Sequence, residues 1–234
     1  MFVQASPYPW PYDGKLTAEN TALLVIDMQA DFVSKGGWVD QQGYDTALTA
    51  RAVAPLQRLL AAARQVKGFT IIHTREGHRP DLSDLPENKL WRSQRIGAAI
   101  GSEGPLGRLL IRGEKGWDII PELSPAPGEI VIDKPGKGAF YATDLDAILR
   151  KRQIRNLIFT GVTTDCCVST TLRDANDMGY ECVTLEDCTG ATIFANHEST
   201  LSTIQTTGGL FGCVSSSGQV IEALRQLAQQ QREG

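Results

Sequence analysis

The stretch GVTTDCCVSTTLRD, Gly161 to Asp174, sets a thiol where a thiol can serve as a nucleophile. It overlaps the end of the apolar run Leu157–Val162 (LIFTGV), which reads as a buried strand. It then opens a helix expected to run to about Met178, with Gly179 as its stop. Cys167 falls on the first helical turn. Unpaired N–H groups and the partial positive charge of a helix N-terminus stabilise a thiolate there, and the same N–H groups can hold an oxyanion formed beside it. Asp165 is placed to act as the N-cap.

Two further reactive side chains stand at the ends of strand-like runs. Asp27 ends TALLVID (Thr21–Asp27), and Lys134 directly follows IVID (Ile130–Asp133). In a parallel sheet such ends share one edge, so Asp27, Lys134 and Cys167 can converge although far apart in sequence. A carboxylate beside a thiol can take its proton, and an ammonium beside both favours the ion pair. The thiolate attacks a carbonyl, the protonated carboxyl donates to the leaving amine, and water clears the thioester by the reverse route. Taken singly, each residue has an inert reading: a buried free cysteine, a strand-end aspartate, a solvated lysine.

The elements that must position them alternate. Strands are expected at Thr21–Asp27, Phe69–Thr74, Ile130–Asp133, Leu157–Val162, Cys182–Leu185 and Phe211–Val214. Helices are expected at Pro55–Val66, Asp144–Lys151, the cysteine helix, Ala195–Thr206 and Val220–Gln230. Alternation of apolar strands with helices predicts an α/β fold of three layers, α/β/α, with a Rossmann-like parallel sheet of about six strands. A segment from about 75 to 128 breaks the alternation and reads as a lid-like insertion. Within it Arg75, Glu76 and Arg95 are candidates to shape or cover a pocket.

The 234 residues suit one domain, 1–234, with an N-terminal arm, 1–20, that could pack on a neighbouring subunit. A net charge of −4 argues against nucleic acid as a partner. No apolar run reaches the ~18 residues of a membrane span. The arm lacks the basic and apolar blocks of a secretory signal. The five cysteines form no CxxC pair and no even framework, which points to a reducing, cytoplasmic compartment. A vicinal disulfide between Cys166 and Cys167 would strain the backbone. The three histidines, His73, His78 and His197, form no D-x-H-x-x-H cluster, so no metal and no cofactor are expected.

Together IDMQADF (Ile26–Phe32), DKPGKGAFYATDL (Asp133–Leu145) and GVTTDCCV (Gly161–Val168) resemble the isochorismatase-like cysteine hydrolases, in order across most of the chain. The resemblance implies a catalytic triad of Asp27, Lys134 and Cys167. It aligns the nucleophile with Cys167 rather than Cys166. It also implies a cis peptide at Val162–Thr163 and an oxyanion hole from the N–H groups of Thr163 and Cys167.

Several segments look most like biuret- and triuret-type hydrolases: PYPWPYDG, KGGWVDQQGYD (Lys35–Asp45), HTREGHRPDLSDLP (His73–Pro86) and RSQRIG (Arg92–Gly97). The resemblance implies substrate-binding roles for Phe32, Lys137 and Thr207. Thr207 stands where biuret hydrolases carry a glutamine, with Gln205 two residues earlier. The expected activity is cleavage of a linear C–N bond in biuret or triuret, with ureidoacrylate or an N-carbamoyl compound as the alternative. Nicotinamide lacks the expected metal cluster, and isochorismate chemistry needs no cysteine. A non-catalytic small-molecule-binding protein is the reading from another class. The family implies a homodimer or homotetramer.

Overall fold

The run Thr21–Ile26 forms a strand, β1, buried at every residue. In the computed structural model, which describes residues 1–233, five more strands join it: β2 (Thr70–Glu76), β3 (Ile130–Lys134), β4 (Asn156–Val162), β5 (Glu181–Gly190) and β6 (Cys213–Ser215). Neighbours are parallel throughout, in the order β3-β2-β1-β4-β5-β6. Crossover helices then cover both faces, which is why β1 carries apolar residues at every position from Ala22 to Ile26. Leu23 and Val25 enter one apolar cluster, while Ala22, Leu24 and Ile26 enter the other, as a period of two requires.

The first face is covered by α1 (Val53–Ala63) and α6 (Ser217–Glu233), through Leu56, Leu59, Leu60, Val220, Leu224 and Leu227. The helix α2 (Glu87–Arg95) lies between β2 and β3. The second face is covered by α3 (Leu145–Lys151), α4 (Ser169–Asp177) and α5 (Phe194–Gly209), through Leu149, Leu172, Ala175, Leu201 and Ile204. Spacings of three and four place these side chains on one stripe of each helix. Among the described residues no helix is long and apolar enough to cross a membrane.

Two expectations need correction, and the arm has a place of its own. The β2 ladder continues to Glu76, because Arg75 and Glu76 pair with Asp133 and Lys134 of β3; they belong to the sheet and not to the insertion. The rest of that segment is built, with α2, a short hairpin (Glu103–Gly104 with Gly107–Arg108) and a 3-10 turn at Pro121–Leu123. Asp165 does not cap the cysteine helix. Thr163 takes the N-cap position of a wide π-type turn, Thr164–Val168, and the Asp165 carboxylate instead accepts from Asn196 Nδ2 at 3.0 Å. The arm seats on its own chain: Ser6 exchanges both main-chain hydrogen bonds with Val214 of β6, and Trp10 is fully buried.

Strand order reverses at β1, which has β2 on one side and β4 on the other. Crossovers leave in opposite directions there, and the C-terminal ends of β1, β2, β3 and β4 gather at this switch point, the place that forms the ligand crevice of open α/β sheets. Gly161 makes the approach close. It pairs with Ile26 at φ +101°, and a Cβ there would lie 1.9 Å from the Ile26 carbonyl oxygen. Gly161→Ala is expected to cost roughly 3 kcal/mol or more, read as lost soluble protein or a lowered urea midpoint.

Asp31 ties the chain after β1 to the insertion. Its carboxylate accepts from Trp38 N–H (3.1 Å) and Leu110 N–H (3.0 Å). Burial raises its pKa from 3.8 to about 6 against those two bonds. Between these values the native state binds more protons than the unfolded chain, so this group's contribution falls as pH rises through that window. Urea unfolding at pH 4 and 6.5 should show Asp31→Asn lacking a loss of up to about 3 kcal/mol that the parent shows.

Candidate active site

Asp27 leaves β1 with φ 50°, in the left-handed region, which turns its side chain out of the strand direction. Its N–H donates to the Thr74 carbonyl at 3.2 Å, and the Thr74 hydroxyl donates to Asp27 Oδ1 at 2.6 Å. Lys134, the last residue of β3, brings Nζ to 2.7 Å from Asp27 Oδ2. The same ammonium donates to the carbonyls of Gly136 (2.9 Å) and Lys137 (2.8 Å). Cys167 enters from the turn after β4. The Thr163 carbonyl accepts from both Cys166 and Val168 N–H at 3.1 Å and wraps that turn around it. The Val162–Thr163 peptide is cis.

A fourth group completes the cluster. Glu76, at the end of β2, accepts from Cys167 Sγ at 3.2 Å through Oε2. Oε2 also lies 3.6 Å from Lys134 Nζ. The other oxygen, Oε1, accepts from Lys89 Nζ of α2 at 2.6 Å, and Lys89 donates to the Pro135 carbonyl as well. Gln29 fixes the Glu76 backbone on both sides: its Oε1 accepts from Glu76 N–H at 2.7 Å, and its Nε2 donates to the Glu76 carbonyl at 2.9 Å. Asp27, Glu76 and Cys167 keep their ligand-capable atoms within 4.8 Å of one another. Such a trio has the donor set of a metal site, but the Lys134 ammonium already supplies the counter-charge between the two carboxylates.

Burial decides how these charges behave. Asp27 and Lys134 are 0 % exposed, and Cys167 and Glu76 4 % each, so water screens little here. Burial works against the Lys134 ammonium, yet Asp27, Cys167 and Glu76 outweigh it and raise its pKa. The two carboxylates separate. Burial and the Glu76 charge raise Asp27 despite Lys134. Burial also pushes Glu76 up, but Lys134 and Lys89 together hold it well below the usual carboxylate range. Such a split assigns a proton carrier, Asp27, and a fixed anion, Glu76.

The neighbouring Cys166 thiol, burial, Glu76 and Asp27 push the Cys167 thiol well above the usual cysteine range, against Lys134. The resting nucleophile is therefore a thiol, where the helix-terminus argument alone expects a thiolate.

Of the sequence-predicted residues, Asp27, Lys134 and Cys167 meet at one point, and Thr163 opens the turn that carries Cys167. Lys137 contributes its carbonyl to Lys134, while its side chain is exposed. Phe32 is core, packed edge-on against Trp38 with ring centroids 6.1 Å apart. Thr207 lies elsewhere: α5 starts at the crevice edge after β5 and runs back, so Thr207 stands exposed at the opposite sheet edge. Gln205, near it, donates to Leu201.

Arg75 pairs with Asp133 and Asp118 over Trp117, and Arg95 lies over the exposed Trp91, so neither reaches Cys167. Glu76, expected in the insertion as a group that shapes or covers the pocket, instead stands inside the site at the end of β2, and Lys89 is a residue the sequence did not single out. Glu76 had a signal, a charge at the end of a parallel strand like Asp27 and Lys134. Lys89 had none, since only tertiary folding brings α2 over the crevice.

The resting thiol has a measurable signature. In the parent, with Cys166 and Cys167 resolved by peptide fragmentation, iodoacetamide labelling of Cys167 should be slow at pH 7 and climb with pH beyond the ordinary cysteine value of about 8.5. A plateau already reached below pH 7 would show a resting thiolate instead.

Known proteins share this arrangement of chain and fold. The isochorismatase domain model matches residues 21–217. The ureidoacrylate amidohydrolase RutB of Cronobacter turicensis is 37 % identical over 217 residues, covering 90 % of each chain. That of Stutzerimonas stutzeri is 37 % identical over 221 residues, covering 92 % of this chain and 86 % of its own. A cysteine hydrolase from Pseudomonas syringae pv. phaseolicola superposes with a TM-score of 0.75 at 27 % identity, over 97 % of this chain and 98 % of that one. An N-carbamoylsarcosine amidase from Thermoplasma acidophilum gives 0.64 at 26 % identity, over 85 % and 96 %.

Proposed function

Because the chain belongs to the isochorismatase family, we propose that it is a cysteine amidohydrolase cleaving a linear C–N bond in a small ureido compound. The observation that carries this reading is the sealed convergence of Asp27, Lys134 and Cys167 at the switch-point crevice. A binding protein that had lost catalysis would have no need to keep a buried ammonium and carboxylate around an intact thiol, a costly arrangement to maintain.

The chemistry follows from the geometry. Cys167 Sγ attacks the carbonyl carbon of a carbamoyl group and passes its proton to Asp27. The oxyanion is held by the N–H groups of Thr163 and Cys167. Asp27 returns the proton to the departing nitrogen, releasing ammonia or an amine. Water then attacks the thioester, with Asp27 as base. Lys134 holds the Asp27 carboxylate in place and favours its ionised form against burial and the Glu76 charge.

Two substrate types fit. Ureidoacrylate is favoured by the relatives, which are ureidoacrylate amidohydrolases. Biuret or triuret is favoured by the Glu76 anion beside the nucleophile, because these substrates bring no carboxylate of their own into a site that already holds one. A cytoplasmic homodimer or homotetramer belongs to the same reading.

The test is a product assay with ureidoacrylate, biuret, triuret, N-carbamoyl amino acids and nicotinamide. Turnover of one ureido compound, reduced roughly a thousandfold or more by Cys167→Ser, is the expected result. The preferred compound decides between the two substrate types. Hydrolysis confined to nicotinamide, or none at all, overturns the ureido assignment.

A further inference from the structure

Glu76 poses a physical problem that the triad does not solve. A permanent anion 3.2 Å from the nucleophile opposes thiolate formation, yet the fold spends several buried contacts to keep it there. Gln29 clamps its main chain from both sides. Lys89 reaches in from α2 to neutralise Oε1 alone. The free face of Oε2 is thereby aimed at Sγ, and the only donor it holds within 3.5 Å among the described residues is the Cys167 thiol.

An oxygen that accepts one weak S–H bond is poised to trade it for a stronger donor. A carboxylate prefers an amide N–H to a thiol, which is a poor hydrogen-bond donor. Any carbamoyl carbon brought within attack range of Sγ carries its NH2 group a bond length away, so that NH2 must pass near Oε2. Acyl groups without N–H offer Oε2 nothing.

We propose that Glu76 is the recognition residue for the carbamoyl N–H of the substrate, and that this N–H displaces the Cys167 S–H from Oε2, freeing the thiol to give its proton to Asp27. The proposal rests on the ureido reading and names the group of the substrate that is read. One proton moves, from Sγ to an Asp27 oxygen, and the S–C bond forms as the carbonyl π bond becomes the oxyanion. Glu76 keeps its charge throughout and neither gains nor loses a proton. Substrate binding and nucleophile release are one event, so an unoccupied site keeps its cysteine parked.

The test compares a ureido substrate with p-nitrophenyl acetate, which has a reactive carbonyl and no N–H, in the parent and in Glu76→Gln. The ureido kcat/KM of the variant should fall roughly 10- to 100-fold, the loss of one charge-assisted hydrogen bond. Ester hydrolysis should rise, and the pH midpoint of Cys167 alkylation should drop, because the carboxylate that holds the thiol proton and opposes the thiolate is gone. Ureido turnover within about threefold of the parent overturns the proposal. So does a parallel loss of ester turnover and alkylation, which would make Glu76 a support for the nucleophile.

Should Glu76→Gln fail to fold by circular dichroism, Glu76→Asp keeps the charge and draws the oxygens back. It should show the same split between ureido and ester, and equal losses on both overturn the proposal. A parent that cleaves the ester through Cys167 but no ureido compound would instead refute the substrate class, a result separable from failure of the Glu76 role.

Discussion

One buried ammonium holds the centre of this molecule together. Lys134 lies between Asp27 and Glu76 with no exposure to water, and the carboxylates close on it from β1 and β2. Two carboxylates this near one another would repel strongly in a dry site, and either alone would take up a proton. The cation lets both persist, and the unequal help they receive divides their roles. Glu76 has a second cation in Lys89; Asp27 has only a hydroxyl from Thr74 in addition. The carboxylate with less support is the one that can change its protonation state, so the acid–base role follows from how the lysines are shared out.

That arrangement depends on the order of strands. β3, β2, β1 and β4 are adjacent in the sheet, and their C-terminal ends supply Lys134, Glu76, Asp27 and the cysteine turn, respectively. Four groups from four neighbouring strands need no long loop to meet. Gly161 then removes the remaining bulk between β4 and β1, so the turn carrying Cys167 starts against the backbone that precedes Asp27.

Much of this was legible in the residues. Near-continuous apolar runs such as TALLVID and LIFTGV marked the strands, and the charged or nucleophilic residue after each marked the edge where they meet. What stayed hidden has a common cause. Apolar character fades at His73–Glu76, so β2 seemed to end early, although its ladder with β3 carries on through polar residues. The Cys166 thiol and burial push the Cys167 thiol up first, and carboxylates from other strands add to it; helix-terminus chemistry alone reveals neither the burial nor those carboxylates. Thr207 matched a motif in sequence, but the direction in which α5 runs carries it to the far edge of the sheet. Contacts that follow from parallel strands sharing one edge could be read, as Asp27, Lys134 and Cys167 show; those set by how helices and turns pack, such as Lys89 over Glu76 and Asn196 on Asp165, could not.

The N-terminal arm carries a consequence for how this chain comes to be safely folded. β6 is a short outer strand, and an unpaired outer strand is a template for another chain. Here the covering residue, Ser6, and the covered one, Val214, stand near opposite ends of the sequence. The cover is therefore the most sequence-distant pairing in the sheet, and it cannot form until the strand it protects has been made. Long-range closure of this kind comes late in folding. Until it is made, β6 offers its open side to any neighbouring chain, and Trp10 lacks the burial it has in the finished fold.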